Sequence, residues 1–466
     1  MKKRILLSAV ALILVLVVAI SAASCILYNG PQYTTNNSNN IETPDGETRP
    51  PIDYTNSFFL INAIFQNYSI FDIDYETAML SAIRAYVEAT GDKYANFYTP
   101  EEFEAMQTEN NGDLYGIGVQ VIFDYTDYFM EIVLIRPDSP AQGTLEVGDK
   151  VTHILLDGQK KALSDIVAEN KLKFAEIYPS YTEEEINNVA CYETFQYAVS
   201  KLKGPIGTYA EFFVDRNGVE MQMKIQRAKV KTVSVTAKTS IRDNTVGIVS
   251  ISQFDLTTPT QFKDCMNKLI EGGCNKFIFD VRNNPGGDLA SVVAVLSTLL
   301  KKNDIILSTK DSSGKVETTV VKTVTYSESS GYSTCSVSAS DIGIYTDYEM
   351  IVLANENSAS AAELFTAALR DHEKAEIVGV NTYGKGSVQS IIPLDYYNSK
   401  DVTYYGAIKL TTRLYFPPCG EGYDGGIGIA PDYAVELEGV AADTHFYKLT
   451  EEIDNQLQKA VSLLID

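Results

Sequence analysis

Apolar residues follow two patterns in the second half of the chain. Residues 246–251 and 277–281 are short, almost wholly apolar runs, which is the composition of buried strands. Residues 262–270 and 289–300 instead carry apolar side chains at the spacing of one helix face. These patterns predict two strands and two helices. Helical spacing also recurs near the amino terminus, between residues 57 and 108.

The same patterns predict a strand, a helix and a second strand between residues 351 and 389. An apolar run at 351–354 ends in a polar turn, and helical spacing follows from Ser360 to Arg370. Ser360 is therefore expected at or just before a helix amino terminus. A second apolar run, 375–380, leads to Lys385, which stands between two glycines. We expect a loop to present this lysine.

The amino terminus has the pattern of an export signal. Three basic residues precede an apolar run, 5–20, and small residues lead to Cys25. Small residues before a cysteine resemble a bacterial lipobox, which predicts a signal peptide at 1–24 and lipidation of Cys25. An uncleaved membrane anchor is the alternative, although the run is shorter than the roughly 20 residues that span a bilayer comfortably. Residues 25–56, rich in Asn, Thr, Pro and Gly, are predicted to form a flexible tether.

Charge and composition exclude several classes of protein. The formal net charge is −23, and removal of residues 1–24 takes away three positive charges and no negative ones, which leaves −26. Such a surface argues against binding to nucleic acid or to anionic lipid through basic patches. The six cysteines contain no C-x-x-C motif, and the three histidines have no paired-ligand spacing. We expect no disulfide framework, metal or cofactor.

Two motifs carry a family resemblance. Residues 358–361 read Ser-Ala-Ser-Ala, and residues 384–389 read Gly-Lys-Gly-Ser-Val-Gln. Both resemble the carboxyl-terminal processing proteases, or tail-specific proteases, which are serine peptidases with a Ser-Lys dyad and a PDZ domain. The resemblance implies that Ser360 is the nucleophile, that Lys385 is the base and that Gln389 orients the lysine.

These residue types suit acyl transfer. A serine hydroxyl needs an adjacent base, and burial disfavours the charged form of a lysine, so that it can act as one. Each residue alone also has an ordinary interpretation, with Ser360 as a helix cap, Lys385 as a solvated charge and Gln389 as a strand residue. Their joint spacing favours catalysis.

A third motif implies an oxyanion hole. Residues 280–287, Asp-Val-Arg-Asn-Asn-Pro-Gly-Gly, are similar to the family signature D-x-R-x-N-P-G-G. The resemblance implies that the backbone N–H of Gly286 or Gly287 donates to the oxyanion, together with that of Ala361. A glycine-rich turn that merely opens the next helix is the alternative.

Residues 114–119 resemble the carboxylate-binding loop and first strand of a PDZ domain. The implied contacts with a peptide carboxylate are made by Tyr115, Gly116, Ile117 and Gly118. Segments 135–141 and 145–151 also match the PDZ pattern, whereas 159–190 is a polar insertion. A peptide can add to a sheet edge as a strand while clustered amides bind its carboxylate.

The resemblance implies an α/β and β multidomain fold in which a β-sandwich-like PDZ domain with two helices precedes an α/β ClpP/crotonase-like protease core with a mixed sheet. The predicted boundaries are, in order, signal peptide 1–24, tether 25–56, N-terminal helical region 57–108, PDZ domain 109–229 and protease core 230–466.

The sequence thus predicts an exported serine endopeptidase that acts on proteins with apolar carboxyl termini. We expect it on the outer face of the bacterial cytoplasmic membrane, lipid-anchored or secreted, with a homo-oligomer or a regulatory lipoprotein as possible partners and no nucleic acid. The alternative is a non-catalytic PDZ-bearing lipoprotein that binds carboxyl termini or another exported protein. Asn357, where the family often has glycine, leaves that alternative open.

Overall fold

The computed structural model describes most of the chain beyond the predicted tether. The residues described are 41–42, 48–49, 54–110, 113–156, 158–322, 324–325, 336–398, 401–442 and 444–465. The predicted signal peptide and Cys25 lie outside them. The chain divides into two compact units, residues 1–81 and 82–466, and the second contains every catalytic candidate. Within the described ranges, no helix is both long enough and apolar enough to cross a bilayer.

Helices and strands alternate through most of this length. The helices of the described residues are α1 (Thr55–Tyr68), α2 (Tyr75–Ala89), α3 (Pro100–Asn110), α4 (Leu163–Ile177), α5 (Glu183–Leu202), α6 (Thr258–Glu271), α7 (Leu289–Leu299), α8 (Ala361–Asp371) and α9 (Asn455–Ile465), with 3₁₀ turns at Gly439–Ala441 and Phe446–Lys448. The strands are β1 (Ile41–Glu42), β2 (Thr48–Arg49), β3 (Asn96–Tyr98), β4 (Asp113–Gly116), β5 (Val119–Phe123), β6 (Met130–Ile135), β7 (Lys150–Leu156), β8 (Gln159–Ala162), β9 (Tyr209–Arg216), β10 (Val219–Gln226), β11 (Ala228–Lys231), β12 (Val235–Thr239), β13 (Val246–Ile251), β14 (Lys276–Asp280), β15 (Ile305–Asp311), β16 (Val316–Val320), β17 (Val324–Thr325), β18 (Ser336–Val337), β19 (Glu349–Ala354), β20 (Ala375–Gly379), β21 (Ser387–Asn398), β22 (Asp401–Phe416) and β23 (Tyr433–Ala434).

The largest core surrounds a six-stranded sheet of order β12-β13-β14-β19-β20-β23. Only β12 runs antiparallel to its neighbour. Alternate side chains of β19 enter different cores: Val352 and Ala354 pack with α6, α7 and α8, whereas Ile351 and Leu353 pack with α9. Burial on both faces explains why these strands are continuously apolar. The strands and helices predicted at 246–300 and 351–380 are confirmed, with ends shifted by a few residues.

The parallel strands place two turns side by side. β14 and β19 are neighbours in register, so the segments that follow Asp280 and Ala354 leave the same edge of the sheet. Ligand sites of open α/β sheets lie at such carboxyl ends. These segments contain the glycine-rich turn and the Ser-Ala-Ser-Ala motif.

A second sheet, of order β16-β15-β22-β21, presents the lysine loop. The hairpin of β21 and β22 pairs Ser387 with Leu414, and β21 begins two residues after Lys385. Strand β3 also pairs with β22, by Tyr98 opposite Ala407. This pairing brings the segment near residue 95 to the hairpin that follows the lysine loop.

The third sheet has its own hydrophobic core and the order β10-β9-β7-β6-β5, with β8 paired to β7. Strand β5 lies at its edge. The insertion 159–190 folds as β8, α4 and the first turns of α5. Helix α5 begins at Glu183, within the polar insertion, because Thr182 and Glu185 form a capping box. The chain is thus a mixed α/β protein with several sheets.

Candidate active site

Ser360 is held in an unusual backbone conformation at the start of α8. Its φ is 56° and its ψ −113°, outside the regions that non-glycine residues favour. The side chain is 8% exposed. Its Oγ lies 3.1 Å from the hydroxyl of Tyr415. Backbone strain that the surroundings enforce is frequent at functional sites, because it fixes the direction of a reacting group.

The turn before Ser360 is fixed by the other serine of the motif. Ser358 Oγ accepts a hydrogen bond from Asn355 N (2.9 Å) and donates one to Val281 O (2.8 Å). Ala359 N donates to Asn284 O over 2.9 Å. The turn after β19 is thereby bonded to the glycine-rich turn after β14.

Glu363 joins the serine to the lysine loop. Its side chain is fully buried, and one carboxylate oxygen, Oε2, accepts from both Ser360 N (2.9 Å) and Lys385 N (2.8 Å). The other oxygen, Oε1, accepts from Gly384 N and from Thr382 Oγ1, each over 2.6 Å. Four donors satisfy a buried carboxylate. This carboxylate makes the backbones of Ser360 and Lys385 neighbours.

Lys385 is half-buried in a tight loop. Gly384 has a φ of 86°, and a β-carbon there would meet the backbone of Gly426 at 2.5 Å. The Lys385 ammonium nitrogen lies 4.6 Å from the centre of the Tyr94 ring. Among the described residues, no hydrogen bond joins Lys385 Nζ to Ser360 Oγ. The backbones of Ser360 and Lys385 are therefore close together, because both bond Glu363, but their side chains form no hydrogen bond with each other.

The surroundings of Lys385 favour its neutral form. Burial lowers the pKa of Lys385 most, and the positive charges of Lys409 and Lys93 lower it further. The negative charges of Glu363 and Asp424 oppose this effect, yet the pKa remains below the ordinary lysine value. A lysine in such surroundings can act as a base.

Gln389 faces neighbours other than the lysine. Its Nε2 donates to Ser387 Oγ and to Thr411 Oγ1, each over 3.1 Å. Thr411 in turn donates from its backbone N (2.6 Å) and its Oγ1 (2.9 Å) to the carboxylate of Asp92. This chain of hydrogen bonds fixes the segment that carries Tyr94 against β22.

The glycine-rich turn touches the serine. A β-carbon on Gly286 would lie 2.8 Å from Ser360 Cβ and 2.9 Å from Ala361 N, so only glycine fits. Gly286 N already donates to Asn284 Oδ1 over 2.8 Å. The N–H groups of Gly287 and Ala361 have no acceptor among the residues described.

The four predicted peptide-binding residues connect the two-stranded sheet of β4 and β11 to the third sheet. Tyr115 and Gly116 pair with β11, and Ile117 is buried. Gly118 has a φ of 80°, and a β-carbon there would collide with Ser139. Within the part of the chain described, the N–H groups of Ile117 and Gly118 have no acceptor.

The histidine nearest in sequence to the serine has a structural contact. His372 follows α8, and its Nε2 pairs with Ile305 O over 2.7 Å. Asp371 bonds Arg370 and the backbone N of Cys419. No group of three His, Cys, Asp or Glu side chains in the described ranges is placed to hold a metal ion.

Sequence reasoning missed Glu363, Tyr415 and the segment of Asp92 and Tyr94. Glu363 had a local signal, because Ser360-x-x-Glu363 is the pattern of a capping box. Tyr415 and Asp92 had none, since their contacts join residues far apart in the sequence.

Comparison with known proteins finds similar peptidases. The model of peptidase family S41 matches residues 245–435. A "Carboxy-terminal-processing protease" of Bartonella bacilliformis is 29% identical over 353 residues, 74% of this chain and 67% of the relative. A "Probable CtpA-like serine protease" of Staphylococcus haemolyticus is 27% identical, over 76% of this chain and 59% of the relative. The solved photosystem II D1 C-terminal processing protease overlaps 82% of this chain and 87% of its own, at 19% identity and a TM-score of 0.42. The part of the chain that matches peptidase family S41, residues 245–435, holds the serine, the lysine and the glycine-rich turn.

Proposed function

We propose that this protein is an exported endopeptidase that binds protein substrates by their carboxyl termini and cleaves them through a Ser360–Lys385 acyl-enzyme mechanism. The observation that carries the proposal is the buried Glu363 carboxylate, which accepts hydrogen bonds from the backbones of both residues. A strained serine and a lysine of lowered pKa meet at this one group. The predicted signal peptide at 1–24 and the predicted lipidation of Cys25 support a location outside the cytoplasmic membrane.

In the first half of the reaction, Lys385 accepts the proton of Ser360 Oγ as the oxygen attacks the scissile carbonyl. The lysine side chain must rotate away from Tyr94 for this step, and its free torsions permit that. Lys385 then gives the proton to the leaving amine. In the second half it deprotonates the water that hydrolyses the ester, and the proton returns to Ser360.

The N–H groups of Gly287 and Ala361 would hold the oxyanion. Both lack an acceptor within the described residues, whereas Gly286 N is bonded to Asn284. Each fixed donor contributes about 3 kcal/mol to transition-state stabilisation. Gly286 would act sterically, because its missing side chain lets the turn approach Ser360. Gln389 would act on Lys385 through the lysine loop, since it bonds Ser387 and Thr411.

Substrate recognition is assigned to a PDZ domain at 109–229. Strand β5 offers a sheet edge to which an extended peptide can add, and the N–H groups of Ile117 and Gly118 next to it can receive a carboxylate. Val121 on β5 and Phe195 and Val199 on α5 are partly buried apolar residues of the same core. They favour an apolar terminal side chain.

Removal of the substrate's terminal charge tests this recognition. For a peptide that ends in apolar residues, we expect amidation of the carboxyl terminus to raise KM roughly 10- to 100-fold, because charge-assisted hydrogen bonds are lost. Both forms are cleaved by the same enzyme, and the products are measured by mass spectrometry. Equal KM values for acid and amide would exclude carboxylate recognition, while the Ser-Lys chemistry would stand.

The pH dependence of kcat/KM tests the base. Lys385 acts when neutral, so activity should fall as the pH drops through its lowered pKa. Lys409→Gln removes a nearby positive charge, which raises the pKa of Lys385 and moves the acid limb to higher pH. Lys268→Gln, on an exposed position of α6, is the matched control and should leave the profile in place. An unmoved limb in Lys409→Gln would contradict the assignment of that limb to Lys385.

A further inference from the structure

Tyr415 makes the one side-chain hydrogen bond to the Ser360 hydroxyl among the described residues. Its own hydroxyl lies 3.1 Å from Ser360 Oγ and has no other partner in the described ranges. Its side chain belongs to the main core and is 5% exposed. Water is thus largely excluded from the pair.

The burial decides which hydroxyl donates. A tyrosine hydroxyl has one proton, and a buried donor without an acceptor is unfavourable. Tyr415 therefore donates to Ser360 Oγ. The hydroxyl proton of Ser360 then points away from Tyr415, and a base can remove it. Burial also raises the pKa of Tyr415 to about 12, so the phenol stays protonated at the pH values at which a neutral lysine operates.

The backbone of Tyr415 fixes this hydroxyl relative to the base. Tyr415 N donates to Gly386 O over 2.9 Å, and Gly386 directly follows Lys385. The neighbouring ring of Tyr423 packs against that of Tyr415, with ring centres 6.4 Å apart. One residue therefore contacts the nucleophile with its side chain and the lysine loop with its backbone.

We propose that Tyr415 is a further catalytic residue, whose hydroxyl donates a hydrogen bond to Ser360 Oγ and stabilises the negative charge that develops there. The inference rests on the proposed Ser-Lys mechanism. When Lys385 removes the serine proton, Tyr415 keeps its own, so the phenol transfers no proton. The same hydrogen bond stabilises Ser360 Oγ as the leaving group when water cleaves the acyl-enzyme. The serine then regains its proton from Lys385.

The test compares Tyr415→Phe with Tyr423→Phe. Both remove one buried hydroxyl from adjacent rings, but the Tyr423 hydroxyl has no hydrogen-bond partner in the described residues. We expect Tyr415→Phe to lower kcat roughly 10- to 100-fold, the range for one hydrogen bond to a charged group, with KM nearly unchanged. The rate at which a fluorophosphonate labels Ser360 should fall by a similar factor. Tyr423→Phe should match the wild type in both measurements.

Other outcomes separate this inference from the proposed function. If Tyr415→Phe behaves as Tyr423→Phe in an enzyme that Ser360→Ala inactivates, only the role of Tyr415 is overturned. A kcat of Tyr415→Phe above that of the wild type would also overturn the role of Tyr415, because the phenol would then hinder the attack by Ser360. If Ser360→Ala remains as active as the wild type, the Ser-Lys mechanism itself fails.

A second substitution covers the case in which Tyr415→Phe is unstable. 3,5-Difluorotyrosine at position 415 keeps the shape of the ring and makes the phenol more acidic. Since only the protonated phenol donates, the alkaline limb of the kcat profile should move to lower pH. A hydroxyl with a purely structural role would leave that limb unmoved.

Discussion

Ser360→Ala is expected to reduce peptide cleavage by on the order of 10⁶-fold, the loss found when a serine peptidase nucleophile is removed. The oxygen that this variant loses belongs to the residue with the strained φ of 56°, which the turn of Gly286 approaches closely. Folding should change little, since the lost hydroxyl makes one side-chain hydrogen bond among the described residues. Cleavage of an apolar-ended peptide and the melting temperature measure the two effects.

Ser358→Ala is the matched control, two residues earlier in the same motif. Its hydroxyl bonds Asn355 N and Val281 O, so its loss should lower the melting temperature. Cleavage should remain measurable, because no reacting atom is removed. Loss of cleavage in Ser358→Ala with activity retained in Ser360→Ala would reverse the assignment of the nucleophile. If wild type and Ser360→Ala cleaved equally, a carboxyl-terminus-binding protein would be the better description.

Glu363→Gln is expected to impair both folding and catalysis. An amide can accept on its oxygen, but its NH₂ group would face two of the four donors that now bond the carboxylate. Two unsatisfied buried donors cost about 2–6 kcal/mol of unfolding free energy. In a unit of this size, with an unfolding entropy of about 2.1 cal/mol/K per residue, that lowers the melting temperature by roughly 3–7 °C. Displacement of the serine and lysine backbones should lower kcat on the order of 100-fold.

Glu451→Gln is the control that separates the loss of stability from the loss of catalysis. Glu451 is also a buried carboxylate, bonded by Ser240 Oγ and Ile241 N, and it is outside the candidate site. The Glu451→Gln variant should have a lower free energy of unfolding than the wild type. At temperatures where it is folded, its kcat should equal that of the wild type. If Glu363→Gln lost stability but kept kcat, Glu363 would be a core residue without influence on the dyad.

Local sequence patterns predicted most of the protease core. The apolar runs that became β14 and β19 are buried on both faces, so their continuous hydrophobicity reports their place in a parallel sheet. The start of α8 at Ala361, directly after Ser360, was predicted from helical periodicity. Such elements are decided by residues within one or two turns of each other, which is why a sequence reveals them.

The insertion at 159–190 was harder to predict. Its polar composition gave no clear helical face, yet it folds into β8, α4 and the start of α5. The capping box of Thr182 and Glu185 starts α5 inside this polar segment. Hydrogen bonds of the capping residues, and not a pattern of apolar positions, therefore decide where α5 begins.

By itself, the sequence determined the strand, helix and glycine-flanked loop between residues 351 and 389 and named Ser360 and Lys385. Only the tertiary structure decided how these groups meet. Glu363 bonds the backbones of both, Tyr415 contacts the serine from β22, and Tyr94 covers the lysine from a segment more than two hundred residues upstream. Strand pairing between distant segments creates these contacts, and no local pattern of apolar and polar residues encodes them.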